Sequence, residues 1–253
     1  MAIHFINTAL LLACLATLLI VYRKIKRIDC MTWNIPALDD KIKFAELRLY
    51  RQLEALHNLN ALIKLPVPLP PLRQWAGSPD FLLELAKSTL SNKPQTIVEC
   101  SSGSSTLVTA RCCQLNGFGH VYSLEHEPAF AEATRRNLRD SGLEEWATVI
   151  DAPLKDHHHE GQKYPWYDIS QLPGASIDLL VIDGPPAELA PMARYPAGPE
   201  LFPRLSNRAL ILLDDADRPD EEEIVKRWVR AFPQIKARHL QTEKGLCIIH
   251  CGE

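Results

Sequence analysis

The chain has 253 residues, 46% of them hydrophobic, and a formal net charge of −3 at pH 7. That length suits one large domain with an additional segment, and the hydrophobic fraction is ordinary for a globular protein. The near-neutral charge lacks the basic excess that a nucleic-acid-binding face requires, so we expect no nucleic-acid partner.

Seven cysteines are spread along the chain, most of them inside apolar runs: Cys14, Cys30, Cys100, Cys112, Cys113, Cys247 and Cys251. Because the count is odd and no CxxC pair occurs, we expect reduced thiols and a reducing compartment for the folded part. The missing ligand spacing also argues against a structural zinc site.

The first predicted element is an apolar helix. Residues 2–22 contain no Asp, Glu, Lys or Arg and match the ~20 residues that a helix needs to cross a bilayer. The residues that follow at once include four basic ones: Arg23, Lys24, Lys26 and Arg27. A cleaved signal peptide would carry charge before its apolar run, so residues 1–28 are predicted to form a single-pass anchor with the N-terminus outside and the rest of the chain in the cytoplasm. A buried hairpin helix or an uncleaved export signal is the alternative.

Residues 29–78 form the second predicted segment. Between residues 39 and 64, apolar side chains recur every seven positions, at Ile42, Leu49, Leu56 and Ile63. This stripe predicts an amphipathic helix that packs on the main domain or on a second copy, which would give a homodimer, and binding along the membrane surface is the weaker alternative. Five prolines between residues 66 and 79 then predict a stiff, extended linker.

From residue 79 to 253, the third predicted segment, the pattern alternates between helix and strand. Helices are predicted over 79–90, 105–115, 128–142, 193–205 and 218–232. Strands are predicted over 96–100, 120–125, 146–150, 177–183, 209–215, 235–242 and 245–251. Strands that are apolar on both faces and alternate with helices predict a doubly wound α/β fold with a mostly parallel sheet, which ends in an antiparallel strand pair.

The predicted parallel strands all end in acidic residues: Glu99, Glu125, Asp151, Asp183, and Asp214 with Asp215. In sheets of this kind, ligands bind beyond the carboxyl ends of the strands. Because a rim of like charges repels itself, these carboxylates should meet cations, hydroxyl groups or water. The first strand is followed by small residues that let the backbone turn tightly, here named the serine loop: Ser101, Ser102, Gly103, Ser104 and Ser105.

This arrangement resembles the class I S-adenosylmethionine-dependent methyltransferases over residues 79–253, and in particular a bacterial group of them. Val98, Glu99 and the serine loop stand where the family has V-E-x-G-x-G. The resemblance implies a seven-stranded Rossmann-like sheet and S-adenosylmethionine as cofactor, with its methionine carboxylate at the backbone N–H groups of the loop and its amino group near Glu99. One departure is Ser101 in place of the first glycine, which preserves close approach if its φ is negative.

The resemblance also implies roles for the later strand ends. Glu125, with His126 beside it, would accept both ribose hydroxyls of the cofactor. Asp151 and Ala152 match the adenine-side position of the family, and Asp183 stands next to the place of methyl transfer.

Asp183, Asp214 and Asp215 together predict a hard-oxygen site for Mg²⁺ or a similar divalent cation. The chain is similar at these positions to catechol-type and macrocin-type O-methyltransferases, in which a metal at the same two strand ends lowers the pKa of the acceptor hydroxyl. The alternative is that Asp215 or Asp217 caps the helix that begins near Pro219, while Asp183 only shapes the turn that follows it.

Arg194 and Tyr195 follow the fourth strand and are candidate acceptor-site residues, because loops at this rim select substrates. Together with Asp183 they form the predicted catalytic set. Residues 157–159 are three histidines after the third strand. A histidine run can bind metal or act as a base, but its polar surroundings favour a solvent-exposed loop.

The sequence therefore predicts a membrane-anchored methyltransferase that faces the cytoplasm and O-methylates a small molecule, a lipid or a glycan precursor. Two alternatives stay open. One is a non-catalytic binding module that keeps the fold and uses helix 39–64 to assemble partners. The other is an aminopropyl transferase of the same fold, since an acidic rim is also compatible with a polyamine.

Overall fold

The computed structural model describes residues 2–33, 35–72 and 75–252, and describes side chains outside residues 2–5 and 30–37. The chain divides into two compact units, residues 1–50 and 51–253. The Cys30 side chain and two residues of the proline-rich linker, 73 and 74, lie outside the described part. The domain boundaries predicted near residues 28 and 78 stay a prediction.

The first unit begins with a long apolar helix, α1, Ala2–Trp33. Its segment Ile6–Asp29 has a mean hydropathy of 1.8 and is long and apolar enough to cross a membrane. No side chain of that segment is buried inside the protein. The segment is therefore free to contact lipid along its length. These features agree with the predicted anchor in length and composition.

The next helix, α2, spans Ile35–Ile63 and contains the amphipathic stripe predicted over residues 39–64. Its C-terminal turns, from residue 51 on, belong to the second unit, where Ala55, Leu59 and Ile63 are buried in one of the two hydrophobic clusters. The Nε atom of Arg111 donates a hydrogen bond to the Ile63 carbonyl at 2.8 Å. The predicted packing on the main domain is therefore confirmed for the end of this helix. Of the predicted stripe, however, only Ile63 is buried, whereas Ile42 and Leu49 are exposed. Pairing with a second copy stays a prediction.

The strands of the second unit are, in chain order, β1 Thr96–Cys100, β2 His120–Glu125, β3 Ala147–Asp151, β4 Leu154–His159, β5 Gln162–Tyr167, β6 Ile177–Ile182, β7 Leu205–Asp214, β8 Ile235–Leu240 and β9 Leu246–Cys251. Seven of them form one sheet in the order β3-β2-β1-β6-β7-β9-β8. The first five strands in that order pair in parallel, and β9 and β8 add antiparallel pairs. This sheet confirms the predicted fold class.

The helices of the second unit are α3 Pro79–Asn92, α4 Ser104–Asn116, α5 Pro128–Asp140, α6 Ala197–Leu201 and α7 Pro219–Ala231. Two hydrophobic clusters fill the interior, one containing Ile97 and Val181 and the other Val98 and Leu180. Successive strand residues point to opposite faces of a sheet, so β1 and β6 supply both clusters. Their continuous apolar sequences are explained by burial on both faces.

Two predicted boundaries are wrong. The helix predicted over residues 193–205 is confined to α6, flanked by a short 3-10 turn at Phe202–Arg204. Prolines at 196, 199 and 203 explain this, since proline removes a backbone donor that a continuous helix needs. Strand β7 also starts earlier than predicted, at Leu205 rather than at residue 209.

The three histidines lie in a β-hairpin and not in the loop that their polar surroundings suggested. Strand β4 pairs antiparallel with β5, with His157 opposite Tyr164. The two-residue turn consists of Glu160 and Gly161, with φ angles of +50° and +76°. Positive φ at both central residues is typical of the tight turn that matches the twist of paired strands, and glycine adopts it readily.

Candidate functional site

The serine loop joins β1 to α4 at the carboxyl end of the sheet. Ser101 adopts a φ of +116°, so the negative φ on which close approach was conditional is not observed. Its backbone N–H donates to the Leu124 carbonyl at 3.0 Å, which holds the loop against β2. Gly103 also has a positive φ, +148°, and directly precedes the first residue of α4, Ser104. A serine thus occupies a backbone conformation that favours glycine.

Glu99 lies beneath this loop and is fully buried. Its Oε2 atom accepts hydrogen bonds from the Thr106 and Ser123 hydroxyls, both at 2.6 Å. The Gly103 N–H donates to the Thr106 hydroxyl oxygen at 3.0 Å, so the same carboxylate indirectly fixes the loop. The other oxygen, Oε1, is buried without a hydrogen-bond partner. Burial raises the pKa of Glu99 to about 7, although the hydroxyl groups of Ser105, Ser123 and Thr106 oppose that shift.

Glu125 ends β2 and is held by donors on several sides. The Ser102 hydroxyl donates to its Oε2 at 2.9 Å, and the Glu127 N–H donates to its Oε1 at 3.0 Å. The His126 Nδ1 atom lies 3.3 Å from the same Oε1. Burial alone would raise the pKa of Glu125, but the nearby His126 and the hydrogen bonds from Glu127 and Ser102 outweigh it and lower that pKa.

Asp151 and Ala152 continue this edge at the end of β3. The Ala152 N–H donates to the Glu125 carbonyl at 2.7 Å, which places the two strand ends side by side. The Asp151 carboxylate is 63% exposed and forms an ion pair with Arg135 of α5 at 2.8 Å. Asp151 is therefore the one predicted cofactor-binding acid whose side chain is mostly open to solvent.

The end of β6 meets the serine loop closely at Gly184. The Asp183 N–H donates to the Cys100 carbonyl at 3.2 Å. A Cβ atom added at Gly184 would lie 3.2 Å from the Ser101 Cβ and would collide with the Tyr167 hydroxyl. Glycine is therefore needed here so that β5, which ends at Tyr167, can approach the loop.

Arg194 lies in the middle of the acidic strand ends, with its side chain only 3% exposed. It donates to the carbonyls of Asp183 and Asp214, both at 2.9 Å, and so ties β6 to β7. It also donates to the Asp215 carboxylate at 2.7 Å and lies 3.8 Å from that of Glu221. The guanidinium thus neutralises part of the negative charge that these strand ends bring together.

The three predicted metal ligands are brought together at this point. One carboxylate oxygen of each of Asp183, Asp214 and Asp215 lies within 4.8 Å of the others. Both carboxylate oxygens of Asp214 are buried without a hydrogen-bond partner. Burial raises the pKa of Asp183 to about 6 and that of Asp214 well above its usual range, while Arg194 opposes both shifts. The donor set fits a hard divalent cation, because its oxygens are close together and partly unpartnered.

The capping alternative for these acids finds no support in the described contacts. Helix α7 has Arg218 as its N-cap residue and no side-chain cap. Asp215 instead pairs with Arg194 and with Arg218, and Asp217 pairs with His239 at 2.8 Å.

Tyr195 is placed differently from its neighbour Arg194. It is buried, and its ring lies 5.4 Å from the Tyr164 ring and 6.3 Å from that of His159. Its carbonyl accepts a hydrogen bond from Trp228 Nε1 at 3.0 Å. Tyr195 therefore packs beneath the β4-β5 hairpin, and only Arg194 of this pair contacts the strand-end acids in the contacts described.

Several residues of the site escaped the sequence analysis. Thr106 and Ser123 are the hydrogen-bond donors to Glu99, and Tyr167 closes the space between the ends of β2 and β6. Burial raises the pKa of Tyr167 well above its usual value, and the nearby Cys100 and Glu125 add to that effect. Thr106 could have been found from the sequence, because a hydroxyl three residues after the helix-capping position can reach back to the cap. Tyr167 could not have been found in this way, because its position in the site depends on the β4-β5 hairpin, which the sequence did not predict.

Comparison with known proteins bears on this geometry. Residues 98–216 match a family model described as a methyltransferase domain. Over these residues the chain is therefore similar to methyltransferases. The matched range runs from the end of β1 to the acids that end β7. It therefore contains all the acidic strand ends described above. No curated protein matches the chain.

Solved structures share the fold of this methyltransferase domain. The O-methyltransferase of Bacillus cereus in complex with SAH has a TM-score of 0.53 and 19% identity, over 79% of this chain and 90% of that one. TomG of Streptomyces achromogenes, an O-methyltransferase of tomaymycin synthesis in complex with SAM, has a TM-score of 0.53 and 15% identity over 82% and 96%. An SAH-bound methyltransferase of Podospora anserina has a TM-score of 0.55 and 15% identity over 79% and 88%.

Proposed function

We propose that this methyltransferase domain binds S-adenosylmethionine at the carboxyl ends of β1, β2 and β6 and transfers its methyl group to a hydroxyl oxygen. The observation that carries the proposal is that the serine loop links three strand-end acids. Ser102 bonds to Glu125, Ser101 approaches Gly184 beside Asp183, and Glu99 supports the loop from beneath. A single crevice at this edge is where such sheets bind ligands.

The polar groups of the crevice suit the parts of this cofactor. The unpartnered Oε1 of Glu99 would receive the amino group of the methionine portion, which supplies the missing donor. The backbone N–H groups of Ser104 and Ser105 begin α4 and would receive its carboxylate. The ribose hydroxyls would bond to Glu125, one of them replacing the Ser102 donor.

The adenine side of the proposed site lies at the end of β3. His126 flanks Glu125, and its ring lies 5.8 Å from the Tyr167 ring. Asp151 and Ala152 follow, with the Asp151 side chain accessible from solvent. When bound, S-adenosylmethionine supplies an electrophilic sulfonium methyl group, and the residues of this chain hold it in line with the acceptor.

A divalent cation such as Mg²⁺ would be held by Asp183, Asp214 and Asp215. Bound there, it would lower the pKa of the acceptor hydroxyl. Arg194 lies against two of these acids, so its guanidinium would share the charge compensation with the ion. We propose that the acceptor hydroxyl is held beside Asp183 and Arg194, and that Tyr195 supports the wall of that site.

The acceptor is proposed to be a membrane-associated molecule with a free hydroxyl, such as a lipid or a glycan precursor. The support is the apolar segment Ile6–Asp29, with basic residues at its C-terminal end. With that charge asymmetry the N-terminus would lie outside and the methyltransferase domain in the cytoplasm.

The test uses the full chain in detergent with methyl-labelled S-adenosylmethionine and lipid extracts of the expression host. We expect label in the lipid fraction with the wild type and none with Glu125→Gln. Label that enters no fraction at any chain concentration contradicts O-methylation of a lipid-linked acceptor.

The metal is tested in the same assay by exhaustive chelation with EDTA. We expect transfer to stop and to return when Mg²⁺ alone is added back, but not in Asp214→Asn. Activity that is undiminished after chelation contradicts the metal.

A further inference from the structure

A second cluster of possible metal ligands lies outside the crevice, between the β4-β5 hairpin and α6. The His157 Nδ1 atom lies 2.8 Å from the Glu200 Oε1 atom, and the His159 Nε2 atom lies 2.9 Å from the same oxygen. One ligand atom of each residue lies within 4.8 Å of the other two. The side chains are 18%, 19% and 24% exposed, so the cluster is shielded but accessible to a small ion.

The strand geometry explains why these two histidines converge and the third does not. Residues two apart in a strand point to the same face, so His157 and His159 face α6 together. His158 points to the other face and is exposed. The tight turn at Glu160 and Gly161 follows directly, which fixes the end of β4 that carries the pair.

Hydrogen bonding to Glu200 does not satisfy this cluster. His157 forms a hydrogen bond with the Oε1 atom at 2.8 Å. The Nε2 atom of His159 is also close to that oxygen, yet it is buried and makes no hydrogen bond of acceptable geometry. A buried ring nitrogen that faces a carboxylate without a hydrogen bond is expected where both groups bind the same cation.

The donor set selects the class of ion. Two imidazole nitrogens and one carboxylate suit zinc and similar transition metals, whereas Mg²⁺ prefers oxygen ligands only. Tetrahedral zinc with ligands at ~2.0–2.1 Å places its donors ~3.3 Å apart. The nitrogen-to-oxygen distances of 2.8 and 2.9 Å would therefore need to open by only about half an ångström. Three protein ligands leave a fourth position for water.

We propose that His157, His159 and Glu200 bind one zinc-class divalent ion that fastens the β4-β5 hairpin to α6. The sequence argued against a structural zinc site because the ligand spacing typical of such sites is missing, whereas this site is assembled from the hairpin and α6 without any cysteine. The hairpin ends at Tyr167, which reaches Gly184 in the crevice, and Tyr195 lies under the hairpin beside His159. By holding the hairpin in place, the ion therefore also fixes the positions of Tyr167 and Tyr195 next to the strand-end acids.

The test is zinc binding by the full chain in detergent, purified without a histidine tag and stripped with chelator. Isothermal titration calorimetry should give one zinc per chain. Substituting Co²⁺ should give the visible absorption of a four-coordinate ion. The variants His157→Ala and His159→Ala should each weaken binding at least ~10-fold. His158→Ala is the matched control, since it removes an exposed histidine of the same run, and should bind like the wild type.

Two further variants separate a ligand from a structural contact and from the other acidic cluster. His157→Gln retains a hydrogen-bond donor for Glu200 and should fold like the wild type in the absence of zinc, yet lose zinc binding and the rise in Tm on zinc addition. Asp214→Asn should keep stoichiometric zinc binding. The proposal is overturned by an absence of stoichiometric binding, or by equal losses in the His158 and His157 variants. Because no methyl donor is present, neither result depends on the proposed transferase activity.

Discussion

At the scale of single residues, Glu99 combines a structural and a ligand-binding role. It supports the serine loop through Thr106 and keeps one oxygen without a partner. Such an arrangement costs stability in the empty protein, because a buried charge has no compensating cation. A loss of stability of this kind is expected when a binding site buries a carboxylate whose counter-charge comes only from the ligand.

The pH dependence of stability follows from the raised pKa of Glu99. That pKa is about 7 in the folded chain against 4.5 for an ordinary glutamate, so the folded state holds the proton more tightly. The associated stabilisation is complete below about pH 4.5 and is lost as the pH rises from there to about 7. From the size of the shift, the loss is about 3 kcal/mol at most.

We therefore expect Glu99→Gln to be more stable than the wild type at pH 8 and nearly equal to it at pH 4, below the pKa of the unfolded chain. Thr106 and Ser123 can still donate to the amide oxygen of the glutamine, so the loop should keep its support. Thermal unfolding of both proteins without cofactor measures the gap. A gap of the same size at both pH values contradicts the raised pKa.

Ser101 gives a second residue-scale prediction. Its φ of +116° is unfavourable for a side chain that has a Cβ atom. Ser101→Gly should remove a strain of about 1–3 kcal/mol and lose roughly 0.5–1 kcal/mol to the added freedom of the unfolded chain. We expect a net gain of about 1 kcal/mol, or ~2–4 °C in Tm.

The matched control at this position is Ser101→Ala, which removes the hydroxyl but keeps the Cβ atom. It should show no gain in Tm. Equal unfolding temperatures for the glycine and alanine variants would mean that the backbone at residue 101 is not strained.

At the scale of elements, the sequence predicted the central sheet because its strands are distinctive. The strands β6 and β7 are apolar throughout, and the helices between parallel strands begin and end at recognisable residues such as Pro128 and Gly117. The acids at the strand ends followed from topology alone, since parallel strands end at one edge.

The β4-β5 hairpin could not be predicted in the same way. Its strands carry lysines, histidines and a proline, and the two strands form a separate sheet whose stability depends on packing over Tyr164 and Trp166. The contacts of Arg194 could not be predicted either. They join it to residues that are 11, 20, 21 and 27 positions away in the sequence and that meet only in the folded chain. Local patterns carry no information about such contacts.

The end of α2 gives a prediction about where the folded unit begins. Ala55, Leu59 and Ile63 are buried, and Gln52 donates to the Asp80 carboxylate at 2.7 Å. A fragment of residues 65–253 lacks these contacts, whereas one of residues 51–253 keeps them. Since removing one buried leucine side chain costs about 2–5 kcal/mol, the shorter fragment should unfold at a much lower temperature or precipitate.

Thermal unfolding of the two fragments, with Leu59→Ala in the longer one as an intermediate case, measures this difference. Equal stability of the two fragments would show that the end of α2 contributes nothing to the folded unit. It would also favour a domain boundary near residue 78.

At the scale of the whole molecule, the chain joins an apolar helix of membrane-spanning length to a methyltransferase domain. The first unit offers surface that suits lipid, and the second offers a crevice lined by acids whose charges are only partly compensated by Arg194 and its neighbours. The proposed combination is a transferase held near acceptors that lie in the membrane. Its central claim is that the strand-end acids form one cofactor site.

The most direct measurement of that claim is calorimetric titration of the full chain in detergent with S-adenosylmethionine. We predict one binding site in the wild type and at least ~10-fold weaker binding in Glu125→Gln, which loses the charged acceptor of the ribose hydroxyls. The control Glu222→Gln removes a carboxylate that is 58% exposed on α7 and should bind like the wild type. Absence of binding heat in the wild type, or unchanged affinity in Glu125→Gln, would contradict the account.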